Sequence, residues 1–306
     1  MNVREWALPV YTILMQLTVG AFAVLWLIRH LAGSKFSAQE IDRIIRNPIL
    51  VIAFTVVVAM GGAHFHLSKP FHSFLAVLNF KSSWLSREIV FSILFFQTTI
   101  SVLYLTYFQT HRRNLITGLG WLAILFGVIL VYCMARIYLI PTQVAWNSTS
   151  VIVSFYATTL LLGIMAIACL MVLDLKFAEI TNSDDVELRS QVIRNTCAGL
   201  TTLTVTLVIL SLAIIYVQIH LLANGDPIAR TSLNLLVNLY LPLFLMRLVF
   251  LIYASSSLVY AVVKMYKMQA TPQSLMTPVY FSCLMILVGE IIGRFLFYAT
   301  HVRVGL

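Results

Sequence analysis

A 306-residue chain with only seven histidines and eleven acids has few groups for proton chemistry near neutral pH, and three of those histidines crowd into HFHLSKPFH, from His64 to His72. Glu88 follows in WLSRE, at the start of the next apolar run. A neutral imidazole beside a carboxylate supplies acceptors that titrate near physiological pH. That suits the oxidation of a quinol, which must release two protons as two electrons leave. His66 and Glu88 are the candidate acceptors, with His64 and His72 beside them. A plainer reading of Glu88 is a headgroup neighbour at a span boundary, where an acid is cheap.

Arg136 and Arg247 stand inside apolar runs. Arg136, in MARIYLIP, lies near the end of its run, where it either snorkels to the interface or orients a carboxylate or a quinone carbonyl. Arg247 lies about twelve residues into its run, which predicts a position near the midplane and a need for a partner or a water-lined cavity. The last run reads GEIIGRFLFYATHVRVG. At about 100° per residue, Glu290, Arg294, Tyr298 and His301 share one helix face. Glu290 and Arg294, at i and i+4, are placed for an intrahelical ion pair, and Gly289 and Gly293 for close approach of a neighbouring helix. These charges serve either a site or the packing of the bundle.

The elements carrying these residues follow from composition. With 60% apolar and 10% charged residues and a mean hydropathy of +0.94, the chain cannot cover itself with a water-compatible surface. Eight apolar runs are each long enough to cross a bilayer: 8–31, 48–66, 88–110, 117–140, 151–173, 196–222, 235–263 and 277–300. The expected fold is an all-α integral membrane protein of eight transmembrane helices forming one domain over 1–306. Gly61 and Gly62 suggest close helix approach, and Pro70 with Phe71, Phe74, Leu75 and Leu78 a short interfacial helix. Segments 32–47 and 174–194 read as charged loops.

Placing the N-terminus outside puts 11 basic residues in the inner connections and 6 on the outer side. Basic flanks are retained inside, so both termini and the histidine cluster are expected on the periplasmic side. The net charge of +9 fits such a protein and gives no case for nucleic acid. Cys133, Cys169, Cys197 and Cys283 have no C-x-x-C spacing. The histidines lie at the ends of runs rather than facing one another inside them, as haem ligation requires. No haem, iron-sulfur cluster or metal is therefore expected in this chain, and electrons must leave to a partner. A b-type cytochrome anchor and a proton or solute transporter using Arg247, Glu290 and Arg294 are the alternative classes.

GEIIGRFLFY with His301, the HL-x-x-P of His66 to Pro70, the L-S-x-E-I of Leu85 to Ile89, the R-x-Y of Arg136 and Tyr138, and the in-span Arg247 together resemble the membrane anchor of the dimethyl sulfoxide reductase family. The resemblance runs through all eight spans. It implies a bacterial inner-membrane subunit that oxidises menaquinol near the periplasmic face. Electrons would pass to a four-cluster iron-sulfur subunit and then to a catalytic subunit holding molybdenum bis(guanylate pterin). It also implies that His66 and Glu88 serve in menaquinol binding and oxidation. The chain departs from the family pattern at Ser68-Lys69 and in its longer charged segment after the fifth span.

Overall fold

The computed structural model describes residues 3–33, 35–66 and 77–302. Among them are nine α-helices: α1 (Val3–Ala32), α2 (Ala38–His66), α3 (Trp84–Phe108), α4 (Arg113–Ile137), α5 (Thr149–Ile180), α6 (Val186–Asn224), the short α7 (Pro227–Asn234), α8 (Leu241–Lys267) and α9 (Met276–Ala299). All but α7 belong to segments long and apolar enough to cross a membrane. Large apolar side chains such as Phe54, Phe108 and Tyr216 point away from the bundle, as lipid-facing residues do. The chain is thus an all-α, multi-pass membrane protein.

Several helix ends lie beyond the apolar runs. The 174–194 segment is mostly helix, because α5 continues to Ile180 and α6 begins at Val186. Asn182, with φ 49°, turns the chain between them, a conformation asparagine tolerates better than most residues. Glu187 lies in the first turn of α6, where an acid complements the helix dipole. Asp174 pairs with Arg189, and Arg43 reaches Asp185 at 2.7 Å. The 32–47 segment is likewise largely absorbed into α2, and Arg29 pairs with the buried Asp42 at 2.7 Å.

The seventh span starts later than its composition indicates. Residues Leu235–Leu239 form a π-turn, and α8 begins at Leu241. Pro242 lacks an N–H and its ring clashes with the preceding turn, so it tolerates only the first turn of a new helix. Arg247 therefore lies only about 9 Å along α8, nearer the helix end than the midplane. Gly61 and Gly62 have no described atom within reach of an added Cβ, so the expected helix approach is not made there by described residues. The expected interfacial helix lies outside the described residues, except for a 3-10 turn at 77–79.

The chain is built twice over. α1 packs on α2 and α4, α2 on α3, and α3 on α4; α5, α6, α8 and α9 repeat those four pairings. Two of the connections correspond closely in length, 33–37 with 181–185 and 67–83 with 225–240, while 268–275 exceeds 109–112 by a 3-10 turn at Pro272–Leu275. Near the start of its third helix each half carries a charged residue before a similar apolar triplet, Glu88-Ile-Val-Phe and Arg247-Leu-Val-Phe. Both halves begin at the same end of the bundle, the arrangement of a parallel repeat about an axis along the membrane normal.

The halves meet where α1 crosses α5. A Cβ on Gly20 would collide with the Thr159 carbonyl, and one on Gly163 with the backbone of Gly20 and Ala21. Beside the crossing, the buried Gln16 amide donates to the Phe155 carbonyl at 2.9 Å. Gly163→Val should cost about 1–3 kcal/mol through overpacking, whereas Gly61→Val should stay within about 0.5 kcal/mol. Thermal unfolding of the purified protein in detergent, followed by helical circular dichroism, would separate the two.

Candidate functional site

The start of α1, the ends of α2 and α9, the start of α3 and the connections 138–148 and 225–240 lie at one end of the bundle, and every described candidate residue falls towards that end. Within it, the described side chains form two groups bridged by an aromatic cluster.

The first group belongs to the first half. Glu88, in the second turn of α3, is only 5% exposed. Its carboxyl meets the Tyr11 hydroxyl from α1. Tyr11 also contacts Ser92 Oγ at 3.2 Å, and Ser92 Oγ donates to the Glu88 backbone carbonyl at 2.8 Å. Among the described residues Glu88 has no ion pair, unlike the buried acids Asp42 and Glu290. Nearby, Trp84 lies between two guanidinium groups, with Arg87 4.2 Å and Arg136 4.9 Å from its ring centre. Arg136 Nε is buried with no hydrogen-bond partner among the described residues. His66 is the last residue of α2, so the backbone carries it to the same end as Glu88. The side chains of His64 and His66, and all of His72, lie outside what the structure describes.

The second group belongs to the second half. Arg247 of α8 approaches Glu290 Oε1 at 3.5 Å, and Thr158 of α5 donates to Glu290 Oε2 at 2.7 Å. Arg294 reaches across to α1, donating to Gln16 Oε1 at 2.6 Å, and lies 4.0 Å over the Phe155 ring. The intrahelical Glu290–Arg294 pair expected from i,i+4 spacing is therefore replaced by two interhelical contacts, since each side chain finds a closer partner on a neighbouring helix. Gly289 and Gly293 do face α8; at Gly293 the Arg247 guanidinium occupies the space of a side chain.

Between the groups, the Tyr138 and Tyr298 hydroxyls hydrogen-bond to each other. Trp146 donates to the Phe297 carbonyl at 2.8 Å and stacks on His301 with ring centres 4.6 Å apart. His301 lies past the end of α9, where its Nδ1 donates to the Tyr298 carbonyl. Tyr298 and His301 thus act here as packing and hydrogen-bonding members of an aromatic cap.

The sequence reading missed Tyr11, Ser92, Gln16, Thr158 and Trp146. Gln16 left a signal, an amide inside an apolar run that must find a partner in a bilayer. The others are ordinary residues of transmembrane helices and loops. Among the described residues, no three His, Cys, Asp or Glu side chains converge as a metal site.

An eight-span bundle of this kind, with Glu88, Glu290 and Arg294 buried towards one end, defines an integral membrane protein with a buried polar site near one face. The family model described as "DMSO reductase anchor subunit (DmsC)" matches residues 1–300, and the chain belongs to that family. It is 27% identical over 312 residues to the anaerobic dimethyl sulfoxide reductase chain YnfH of Escherichia coli (strain K12), covering 99% of this chain and 97% of that one. It is 26% identical over 168 residues to an anaerobic dimethyl sulfoxide reductase chain of Haemophilus influenzae (strain ATCC 51907 / DSM 11121 / KW20 / Rd), covering 54% of this chain and 58% of that one. Membership makes it the membrane anchor of an oxidoreductase complex of anaerobic respiration, with catalytic and electron-transfer partners on other chains.

The buried Arg247–Glu290 contact gives a direct expectation. Arg247→Met leaves a buried carboxylate without its cation and should cost about 3–5 kcal/mol, while Arg247→Met with Glu290→Gln should recover most of that. Unfolding midpoints of the two variants and the parent in one detergent would measure the difference.

Proposed function

We propose that this anchor oxidises menaquinol at the first-half site, with His66 and Glu88 as the groups that take up its protons. The observation carrying this reading is Glu88, a buried carboxylate whose described partner is a neutral phenol rather than a cation. An acid matched by arginine is held as a permanent anion, whereas one facing a tyrosine is free to gain and lose a proton. In the reaction, a quinol hydroxyl hydrogen-bonds to His66, Glu88 accepts or relays a proton, and Tyr11 holds the carboxyl in place. The guanidinium of Arg136 lies on the same side and would favour the negative charge that develops on the ring oxygen as the proton leaves.

The two electrons pass to a four-cluster iron-sulfur subunit docked at that end of the bundle. From there they reach a partner carrying molybdenum bis(guanylate pterin). The same reading places the protein in the bacterial inner membrane, with both termini, His66 and the partner subunits on the periplasmic side. The excess of basic residues in the opposite connections supports that orientation.

The test uses the assembled complex. Glu88→Gln and His66→Ala should each lower menaquinol-driven turnover by about 10²-fold or more, the range expected for losing a general base. Turnover driven by a reduced viologen, which feeds electrons to the partner subunits directly, should be unchanged. Full menaquinol-driven turnover in both variants would remove His66 and Glu88 from the reaction.

A further inference from the structure

The second half repeats the helices of the first but not its chemistry. Aligning the halves on the crossing glycines, Gly20 with Gly163, puts Ser154 of α5 where α1 has Tyr11. In the first half the phenol fills the space beside Glu88. In the second half the smaller serine borders an open cleft of about 100 Å³ between α5, α6, α8 and α9.

Three features of the cleft point to its occupant. First, its polar wall holds Arg247, Glu290 and Arg294, of which Glu290 is 2% and Arg294 7% exposed. Arg247 Nε and Arg294 Nε are buried there without a hydrogen-bond partner among the described residues. Two guanidinium groups against one carboxylate leave an excess of donors, which suits a head group rich in acceptor oxygens. Second, Trp146, Phe155 and Phe297 also line the cleft, so an apolar aromatic wall stands beside the guanidinium groups, as a ring carrying polar oxygens needs. Third, Leu222 and Leu236 are part of its lining, and the neighbouring Leu221 and Val237 are turned outward. A long apolar tail could therefore leave between α6 and the π-turn.

Depth separates a quinone from a phospholipid. Arg247 lies about 9 Å and Glu290 about 13 Å inside the ends of their helices, a depth that suits a ring in the hydrocarbon better than a phosphate at headgroup level. We propose that this cleft is a second, non-reacting position for a quinone-class head group, holding the oxidised ring by its carbonyls with the isoprenoid tail in the lipid. Glu290 is already engaged by Arg247 and Thr158, which leaves no unengaged carboxylate beside the ring, so the position binds without oxidising. The choice of ligand rests on the quinol reading of the first half, while the cleft itself does not.

The experiment is photolabelling of the assembled complex with an azido-substituted isoprenoid quinone, followed by mass-spectrometric mapping of labelled peptides. Two separate sets are expected, one from the Glu88 region and one from the cleft walls in α5, α8 and α9, both suppressed by excess menaquinone. Leu236→Trp, which fills the cleft from its apolar side, should lower cleft labelling about tenfold, equivalent to about 1.4 kcal/mol, and leave the Glu88-region label intact. Should Leu236→Trp fail to assemble with its partners, Ser154→Tyr, which restores the bulk present in the first half, is expected to give the same loss.

Absence of cleft label, label that persists in the filled variants, or a tightly held phospholipid that excludes the probe would overturn the inference. Cleft labelling without any Glu88-region label would instead sink the first-half assignment and leave this one standing.

Discussion

Everything at the functional end of the bundle depends on how closely α1 can approach α5. With no side chain on Gly20 or Gly163, the two backbones touch, and in lipid such contact gives the dispersion and backbone packing that hydrophobic burial cannot supply. The same contact brings Gln16 within reach of both the Phe155 carbonyl and Arg294. A wider crossing would leave a buried guanidinium and a buried amide unmatched, each expensive away from water. Helix packing and charge satisfaction are thus one arrangement seen from two sides.

Charge is distributed unequally between the two ends. At the end carrying connections 33–37 and 181–185, the ion pairs tie helices together: Arg29 with Asp42, Arg43 with Asp185, and Arg189 with Asp174. At the other end, Glu290 is matched by Arg247, whereas Glu88 meets only a phenol among the described residues. The buried acid of the second half is thus paired with a cation, and that of the first half with a neutral hydroxyl.

The eight spans were legible because runs of apolar residues long enough to cross a bilayer are the strongest signal a sequence gives. The ends were not, since acids and arginines that look like loop residues can continue a helix when they pair, as Asp174 and Arg189 do. Pro242 was visible in the seventh run, but its effect on where the helix starts was not drawn from composition. Glu88, Arg247, Glu290 and Arg294 were all identifiable as costly residues. Their partners were not: i,i+4 spacing favoured a Glu290–Arg294 pair because local geometry says nothing of a nearer cation on α8. Tyr11 and Ser154 carry the difference between the halves, and it emerges only once the glycine crossing sets the register.

The repeat also bears on how the protein enters the membrane. Each half crosses four times and so returns to the leaflet from which it began, and the 138–148 connection joins them without reversing direction. Orientation is therefore encoded twice, once by the basic residues around α1 to α4 and again by those around α5 to α9. Neither half has to be inverted relative to the other during synthesis, and a weak bias in one is backed by its twin.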